Sequence, residues 1–88
     1  MTQYSVSELD EQVVKTEDAR GLNCPMPILR TKKALASLAG GELLKVLTTD
    51  KSAVSDLSVF TKQTRHELLA QIEASDFVVH YVRKRADV

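Results

Sequence analysis

The order in which β-rich and helix-periodic segments alternate is the feature that most restricts the fold of this chain. A β-rich run at residues 12–17 is followed by a helix-periodic stretch at 25–39, and a second β-rich run lies at 42–49. A second helix follows and is predicted to end near Thr64. Because strand–helix–strand units favour parallel strands joined by a right-handed crossover, the pattern predicts parallel strands with helices packed against them.

Two further β-rich runs close the pattern, at about residues 67–73 and 77–84, and the three residues between them suit a hairpin turn. The complete order is βαβαββ, without an internal repeat or a linker. This order predicts an α/β (α+β) fold: a two-layer sandwich in which a mixed four-stranded sheet carries both helices on one face. The opposite sheet face is expected to be largely open, which suits strands with alternating polar and apolar residues.

The ends of the predicted helices carry recognisable signals. Gly40 and Gly41 stop the first helix, and Asp50 or Ser52 caps the second. Apolar and small residues recur at helical spacing in both helices, and at alternate positions in the second strand. The predicted core positions are Ile28, Thr31, Ala34, Leu35, Leu38, Leu44, Val46, Ala53, Val54, Leu57, Phe60 and Thr61.

A chain of 88 residues has room for one domain. We assign residues 12–88 to this domain and residues 1–11, which are polar and aperiodic, to a flexible N-terminal tail that could contain a helical turn. No apolar run is long enough to span a membrane, and the N-terminus lacks the pattern of a secretory signal. We therefore expect a cytoplasmic protein without a membrane partner.

The residue counts exclude several classes of protein. With a single cysteine, Cys24, the chain cannot form an internal disulfide. Cys24, His66 and His80 do not make a zinc-binding set, so we expect neither a metal nor another cofactor. Twelve basic and twelve acidic residues cancel, which argues against direct nucleic-acid binding. Residues 1–18 hold five of the acids, so the rest of the chain is moderately basic.

Cys24 lies where a turn meets the first helix, in the sequence Gly-Leu-Asn-Cys-Pro-Met-Pro. Pro25 favours the first helical position and keeps the residue before it extended, which predicts that Cys24 is the N-cap. Pro27 removes a further N–H group, and Gly21 supplies a backbone conformation that other residues resist. Gly21, Pro25 and Pro27 are therefore predicted to frame the thiol rigidly.

The position of the thiol at a helix start suggests its chemistry. A helix N-terminus carries partial positive charge, which stabilises a thiolate and lowers the pKa of a thiol, and Arg20 and Arg30 could add to it. We therefore expect Cys24 to be at least partly exposed and partly ionised at neutral pH. Without a second thiol or a neighbouring base, such a group suits the transfer of sulfane sulfur. A small core residue is the alternative interpretation of a lone cysteine.

Residues 18–35, DARGLNCPMPILRTKKAL, resemble the signature of the TusA/SirA-like sulfur-carrier family, in which Cys-Pro-x-Pro opens the first helix. Residues 48–57, 60–69 and 78–84 resemble later segments of that family. The resemblance implies the βαβαββ fold and a sulfurtransferase role in which Cys24 carries a persulfide. A cysteine desulfurase or another sulfurtransferase would be the donor, and a downstream relay protein the acceptor, as in tRNA 2-thiouridine synthesis.

Two positions depart from the family pattern. Met26 stands where the tRNA-thiolation branch typically has Glu, and Arg65 stands where relatives commonly have Gly. The sequence therefore leaves the pathway open among tRNA thiolation, sulfur oxidation and selenium metabolism.

Four basic residues near the thiol, Arg20, Arg30, Lys32 and Lys33, could form a docking patch for an acidic partner surface. A solvated helix face is the simpler interpretation of each of them. The rival function for the whole chain is a non-catalytic regulatory or protein-binding module that uses the basic helix face or the open sheet face. The rival predicts that Cys24→Ser preserves function.

Overall fold

The computed structural model describes residues 5–87 and confirms the predicted alternation of elements. Its helices and strands are α1 (Val6–Gln12), β1 (Val13–Ala19), α2 (Met26–Ala36), β2 (Leu43–Thr48), α3 (Ala53–Thr64), β3 (Glu67–Glu73) and β4 (Val78–Arg83). From β1 onward the order is the predicted βαβαββ. No helix of the described residues is long and apolar enough to cross a membrane.

The four strands form one mixed sheet in the order β1-β2-β4-β3. Strands β1 and β2 pair in parallel, whereas β4 pairs antiparallel with both β2 and β3. The first strand runs two residues beyond its predicted end, to the fully buried Ala19. This extension carries β1 to the edge of the sheet at which β2 also ends, with Ala19 opposite Thr48.

The main core lies between the sheet and the helices α2 and α3. Its buried members are Ala34, Leu35, Leu44, Val46 and Val82, and Leu38, Phe60 and Leu68 pack against them. These residues include six of the twelve predicted core positions, and four more are buried: Thr31, Ala53, Leu57 and Thr61. Val54 is an exception, since its exposed fraction is 40%. The buried face of α3 is set by residues 53, 57 and 61, and Val54 lies about 100° around the helix from the first of them.

The N-terminal segment differs from its expected form. Residues 6–12 form the helix α1, and Leu9 is completely buried against Leu43 and Tyr81 on the sheet face opposite α2 and α3. The expectation of a largely open second face is therefore wrong where α1 covers it. Residues 1–4 of the predicted tail lie outside the described part of the chain.

Polar contacts hold α1 in place. Ser5 caps the helix by accepting a hydrogen bond from the N–H of Glu8. The Tyr81 hydroxyl donates to Asp10 at 2.7 Å, and the Lys45 ammonium donates to the same carboxylate oxygen at 3.1 Å. The hydrogen bonds from Tyr81 and Lys45 lower the pKa of Asp10. A single buried leucine in a polar segment leaves no periodic signal, so this helix could not be predicted from hydrophobic spacing.

We predict that Leu9→Ala lowers the free energy of unfolding by about 2–3 kcal/mol, because it empties a buried site between α1 and the sheet. Urea denaturation at pH 7 measures this loss. The control is Val6→Ala, since Val6 is 46% exposed on the same helix, and it should change stability by less than about 0.5 kcal/mol. A loss for Leu9→Ala as small as that expected for Val6→Ala would show that the packing of α1 does not contribute to stability.

Candidate functional site

The candidate site lies at the edge of the sheet where the parallel strands β1 and β2 end. Both α2 and α3 begin at this edge, so the loops at residues 20–25 and 49–52 lie side by side. The N–H of Gly21 donates to the Thr49 hydroxyl at 2.8 Å and ties one loop to the other. The carboxyl ends of parallel strands are the usual location of functional sites in open α/β sheets.

Two backbone hydrogen bonds shape the loop that carries Cys24. The N–H of Leu22 donates to the carbonyl of Ala19 at 3.2 Å, and the N–H of Met26 donates to that of Asn23 at 2.8 Å. The second bond closes a tight turn across the Cys24–Pro25 peptide, which is cis. Gly21 has a φ of 83°, a left-handed conformation that side chains disfavour.

Helix α2 begins one residue later than predicted. Its N-cap is Pro25, whose carbonyl accepts the helical hydrogen bond from the N–H of Leu29 at 3.2 Å. The prediction that Cys24 is the N-cap is therefore wrong. The turn closed by Met26 places Cys24 just before the helix, where its side chain is exposed. Pro27 lies buried in the first turn and, with Pro25, leaves this helix start without two N–H groups.

The thiol is exposed, as predicted, but its electrostatic environment differs from the prediction. Desolvation raises the pKa of Cys24, and the carboxylates of Asp56 and Asp50 raise that pKa further, whereas the Ser52 hydroxyl lowers it. The pKa of Cys24 is therefore shifted in the direction opposite to the prediction. The start of α2 and two nearby arginines predict a lowered pKa, whereas the fold places the acidic start of α3 beside the thiol.

The two arginines expected to support a thiolate are paired with acids elsewhere. Arg20 donates two hydrogen bonds to Asp18, each 2.9 Å long, and its guanidinium lies 5.1 Å from the centre of the Phe77 ring. Arg30 pairs with Glu17 at 2.8 Å. Because both cations have partners, they contribute little net positive charge to the surface around Cys24.

An outer face of α2, made of Met26, Leu29, Lys32 and Lys33, points away from the sheet. Met26 is 41% and Leu29 51% exposed, and both lysines are exposed. The two apolar residues were not predicted to belong to the site. Their spacing could have indicated it. Met26 and Leu29 follow soon after Cys24, are three residues apart and so share one side of the helix, and do not lie on the face that buries Thr31.

Both histidines have partners away from the thiol. His80 is completely buried between the Thr48 hydroxyl, at 2.7 Å, and the Gln71 side-chain amide, at 3.2 Å, and burial lowers its pKa to about 4. The Nδ1 of His66 accepts a hydrogen bond from the N–H of Arg85 at 3.1 Å. Within residues 5–87, no group of three His, Cys, Asp or Glu side chains could hold a metal ion.

The fold and the site together define a class of small α+β proteins that present one exposed cysteine at a proline-framed helix start. The model of the family described as sulfurtransferase TusA matches residues 15–84. The chain therefore belongs to the TusA family, which confirms the resemblance seen in its sequence.

Individual proteins are similar over most of this chain. Sulfur carrier protein TusA of Pseudomonas entomophila is 43% identical over 72 residues, which cover 82% of this chain and 90% of that protein. Sulfur carrier protein TusA of Allochromatium vinosum is 50% identical over 56 residues, or 64% of this chain and 74% of that protein. The crystal structure of a SirA-like protein from Desulfitobacterium hafniense shares the fold with a TM-score of 0.73 at 24% identity, covering 82% of this chain and 99% of that one.

We predict that Asp56→Asn accelerates alkylation of Cys24 by iodoacetamide at pH 7.5 several-fold, since each unit by which the thiol pKa falls gives up to about tenfold more thiolate. The sign follows from the carboxylate, which favours the protonated thiol and raises its pKa. The alkylation rate measured from pH 6 to 10 reports this pKa directly.

The control for this experiment is Asp76→Asn, which removes an exposed carboxylate from the turn between β3 and β4. It should leave the pH profile of alkylation unchanged. An unchanged profile for Asp56→Asn would show that Asp56 does not act on the thiol.

Proposed function

We propose that this protein is a sulfur carrier that accepts sulfane sulfur as a persulfide on Cys24 and passes it to an acceptor protein. The observation that carries the proposal is an exposed, single thiol held in a tight turn at the functional edge of the sheet. Membership of the TusA family supports it, and relatives are named sulfur carrier proteins.

The transfer is a thiol–persulfide exchange that needs no added oxidant or reductant. The Cys24 thiolate attacks the outer sulfur of a donor cysteine persulfide, and a new S–S bond forms on Cys24. The S–S bond of the donor breaks, and its inner sulfur leaves as a thiolate. The proton released from Cys24 balances that thiolate, so the products are a Cys24 persulfide and a donor thiol. The reverse exchange with an acceptor thiol then delivers the sulfur.

Because the pKa of Cys24 is raised, we expect the donor to promote ionisation of the thiol when it docks. Desolvation and the carboxylates of Asp56 and Asp50 raise the pKa of Cys24, which favours the less reactive thiol form in the free protein and limits its oxidation and its reaction with other thiols. A donor that places a cation beside these carboxylates would cancel their effect and release the thiolate on docking. In this proposal, the Cys24 thiolate that attacks the donor therefore forms only after the donor has docked.

The framing residues hold the sulfur at a defined place on the surface. Pro25 and Pro27 restrict the start of α2, and Gly21 ties the loop to Thr49. Because reaction rates depend on the alignment of the reacting atoms, a fixed sulfur favours exchange with a docked partner. The absence of a second cysteine in the chain prevents the persulfide from collapsing into an internal disulfide.

The partners in this proposal are a cysteine desulfurase or another sulfurtransferase as donor and a sulfur-relay protein as acceptor, in the reducing cytoplasm. The outer face of α2 begins next to Cys24 and offers apolar contact from Met26 and Leu29, with charge from Lys32 and Lys33. Such a mixed surface suits a partner with an apolar patch bordered by acids. A relay that ends in tRNA thiolation is one use of this chemistry.

We predict that incubation with a cysteine desulfurase and cysteine adds about 32 Da, the mass of one sulfur atom, to the intact protein, and that dithiothreitol removes it. Intact-mass spectrometry before and after reduction measures the change. Cys24→Ser is the matched control and should gain no mass. The same gain in this variant, or none in the natural protein with any sulfane-sulfur donor, would exclude the persulfide mechanism.

We predict that Leu29→Ser, or Lys32→Glu combined with Lys33→Glu, slows sulfur transfer from the donor about tenfold, because interface residues of this kind contribute 1 kcal/mol or more when central. Val59→Ser is the control, since Val59 is 51% exposed on α3. Alkylation of Cys24 by iodoacetamide should stay unchanged in all three variants. Equal transfer rates for the α2 variants and the control would place the docking surface elsewhere.

A further inference from the structure

A second concave site lies between the C-terminal parts of α2 and α3, at the end of the molecule opposite Cys24. The cavity has a volume of about 200 Å³. Leu35, Ala36 and Phe60 provide apolar surface inside it. The helix rise puts Leu35 and Ala36 about 14 and 15 Å from the start of α2, and Lys32 about 9 Å from it. The cavity is therefore separate from the loop of Cys24, and of its lining residues only Lys32 also belongs to the outer face of α2.

Positive charge and hydrogen-bond donors border this cavity. Lys32, Lys84 and His66 line it, and no Asp or Glu among the described residues does so. A larger cavity beside the turn between β3 and β4 is, by contrast, lined by Asp50, Glu73 and Asp76. The combination of an apolar interior with a cationic border is what an amphipathic anion requires.

The hydrogen bonds already made by the bordering groups leave donors available. The Lys84 ammonium donates to the carbonyl of Leu38 at 2.7 Å and retains two N–H groups. The Nδ1 of His66 accepts from the N–H of Arg85, so the proton of a neutral His66 ring is on Nε2. The exposed Lys32 adds a further ammonium group from α2.

The charged groups that act on His66 are mostly cationic. Burial lowers the pKa of His66, and the positive charges of Arg85 and Lys84 lower it further, against the smaller opposing effect of Asp87. Asp87 is also paired with Arg85, through oxygens 2.7 and 2.8 Å from the guanidinium nitrogens. An anion entering the cavity would therefore meet little repulsion from this carboxylate.

We propose that this cavity binds a small carboxylate with an apolar body, such as an aryl or branched-chain carboxylic acid. The body of the ligand packs on Leu35, Ala36 and Phe60, and its carboxylate accepts hydrogen bonds from Lys32, Lys84 and His66. Its size suits a ligand below the usual drug-sized range, whose pockets begin at about 300 Å³.

The competing explanation is that these cations only offset the partial negative charge at the C-terminal ends of the helices. Lys84 bonds to the carbonyl of Leu38 after α2, and Arg85 bonds to the carbonyl of Thr64 at the end of α3. This explanation does not require an apolar cavity beside the cations. The two explanations differ in whether a carboxylate ligand binds there.

A titration of the full chain, followed by amide NMR chemical shifts, tests the proposal with benzoate and 4-methylpentanoate as probes. Saturable shifts should appear at Leu35, Ala36, Phe60 and His66. Benzamide and 4-methylpentanamide have the same shapes without the charge, and they should bind at least about tenfold more weakly. No saturable shifts up to about 20 mM carboxylate, or equal affinity for acid and amide, would overturn the proposal.

Two variants locate the binding site, and a third serves as a control. Ala36→Phe places a ring in the cavity from an exposed helix position and should abolish the shifts. Lys32→Gln should weaken carboxylate binding about two- to fivefold, as expected for a partly exposed charge pair. Lys33→Gln makes the same charge change one residue away, outside the cavity lining, and should leave the affinity unchanged. Equal weakening of carboxylate binding by Lys32→Gln and Lys33→Gln would show that the anion responds only to the overall charge of the surface. This result would refute a defined binding site.

Discussion

The parallel pairing of β1 with β2 is the constraint on which the rest of the site depends. Because parallel strands end at the same edge, the helices that follow them begin at the same edge too. This pairing brings the loop of Cys24 beside the start of α3 and allows Gly21 to bond to Thr49. In an antiparallel arrangement the two loops would lie at opposite edges of the sheet, and Cys24 would lack its acidic neighbours.

The properties of the thiol follow from two opposing effects at this edge. The start of α2 provides the partial positive charge that favours a thiolate. Desolvation, together with Asp56 on α3 and Asp50 in the loop before it, raises the pKa of the thiol and favours its protonated form. In the proposed function, this balance protects the thiol in the free protein and makes its activation depend on the partner. The same edge therefore serves both storage and transfer of sulfur in the proposed function.

The two faces of the sheet are stabilised differently. Two helices cover one face with a continuous apolar core, whereas α1 covers part of the other through Leu9 and the contacts of Asp10 with Tyr81 and Lys45. The match to the TusA family begins at residue 15, after α1 has ended. Helix α1 lies before the matched residues and covers part of the apolar surface of the second sheet face.

The sequence by itself determined the βαβαββ order, the mixed sheet and the position of Cys24 before a proline-framed helix, because these depend on local periodicity and turn chemistry. Tertiary structure decided the rest. Arg20 and Arg30 are neutralised by their ion pairs with Asp18 and Glu17. The pKa of the thiol is affected by Asp56, which lies 32 residues from Cys24 in the chain. Local patterns cannot reveal such neighbours, since electrostatic effects act through space between residues that only the fold brings together.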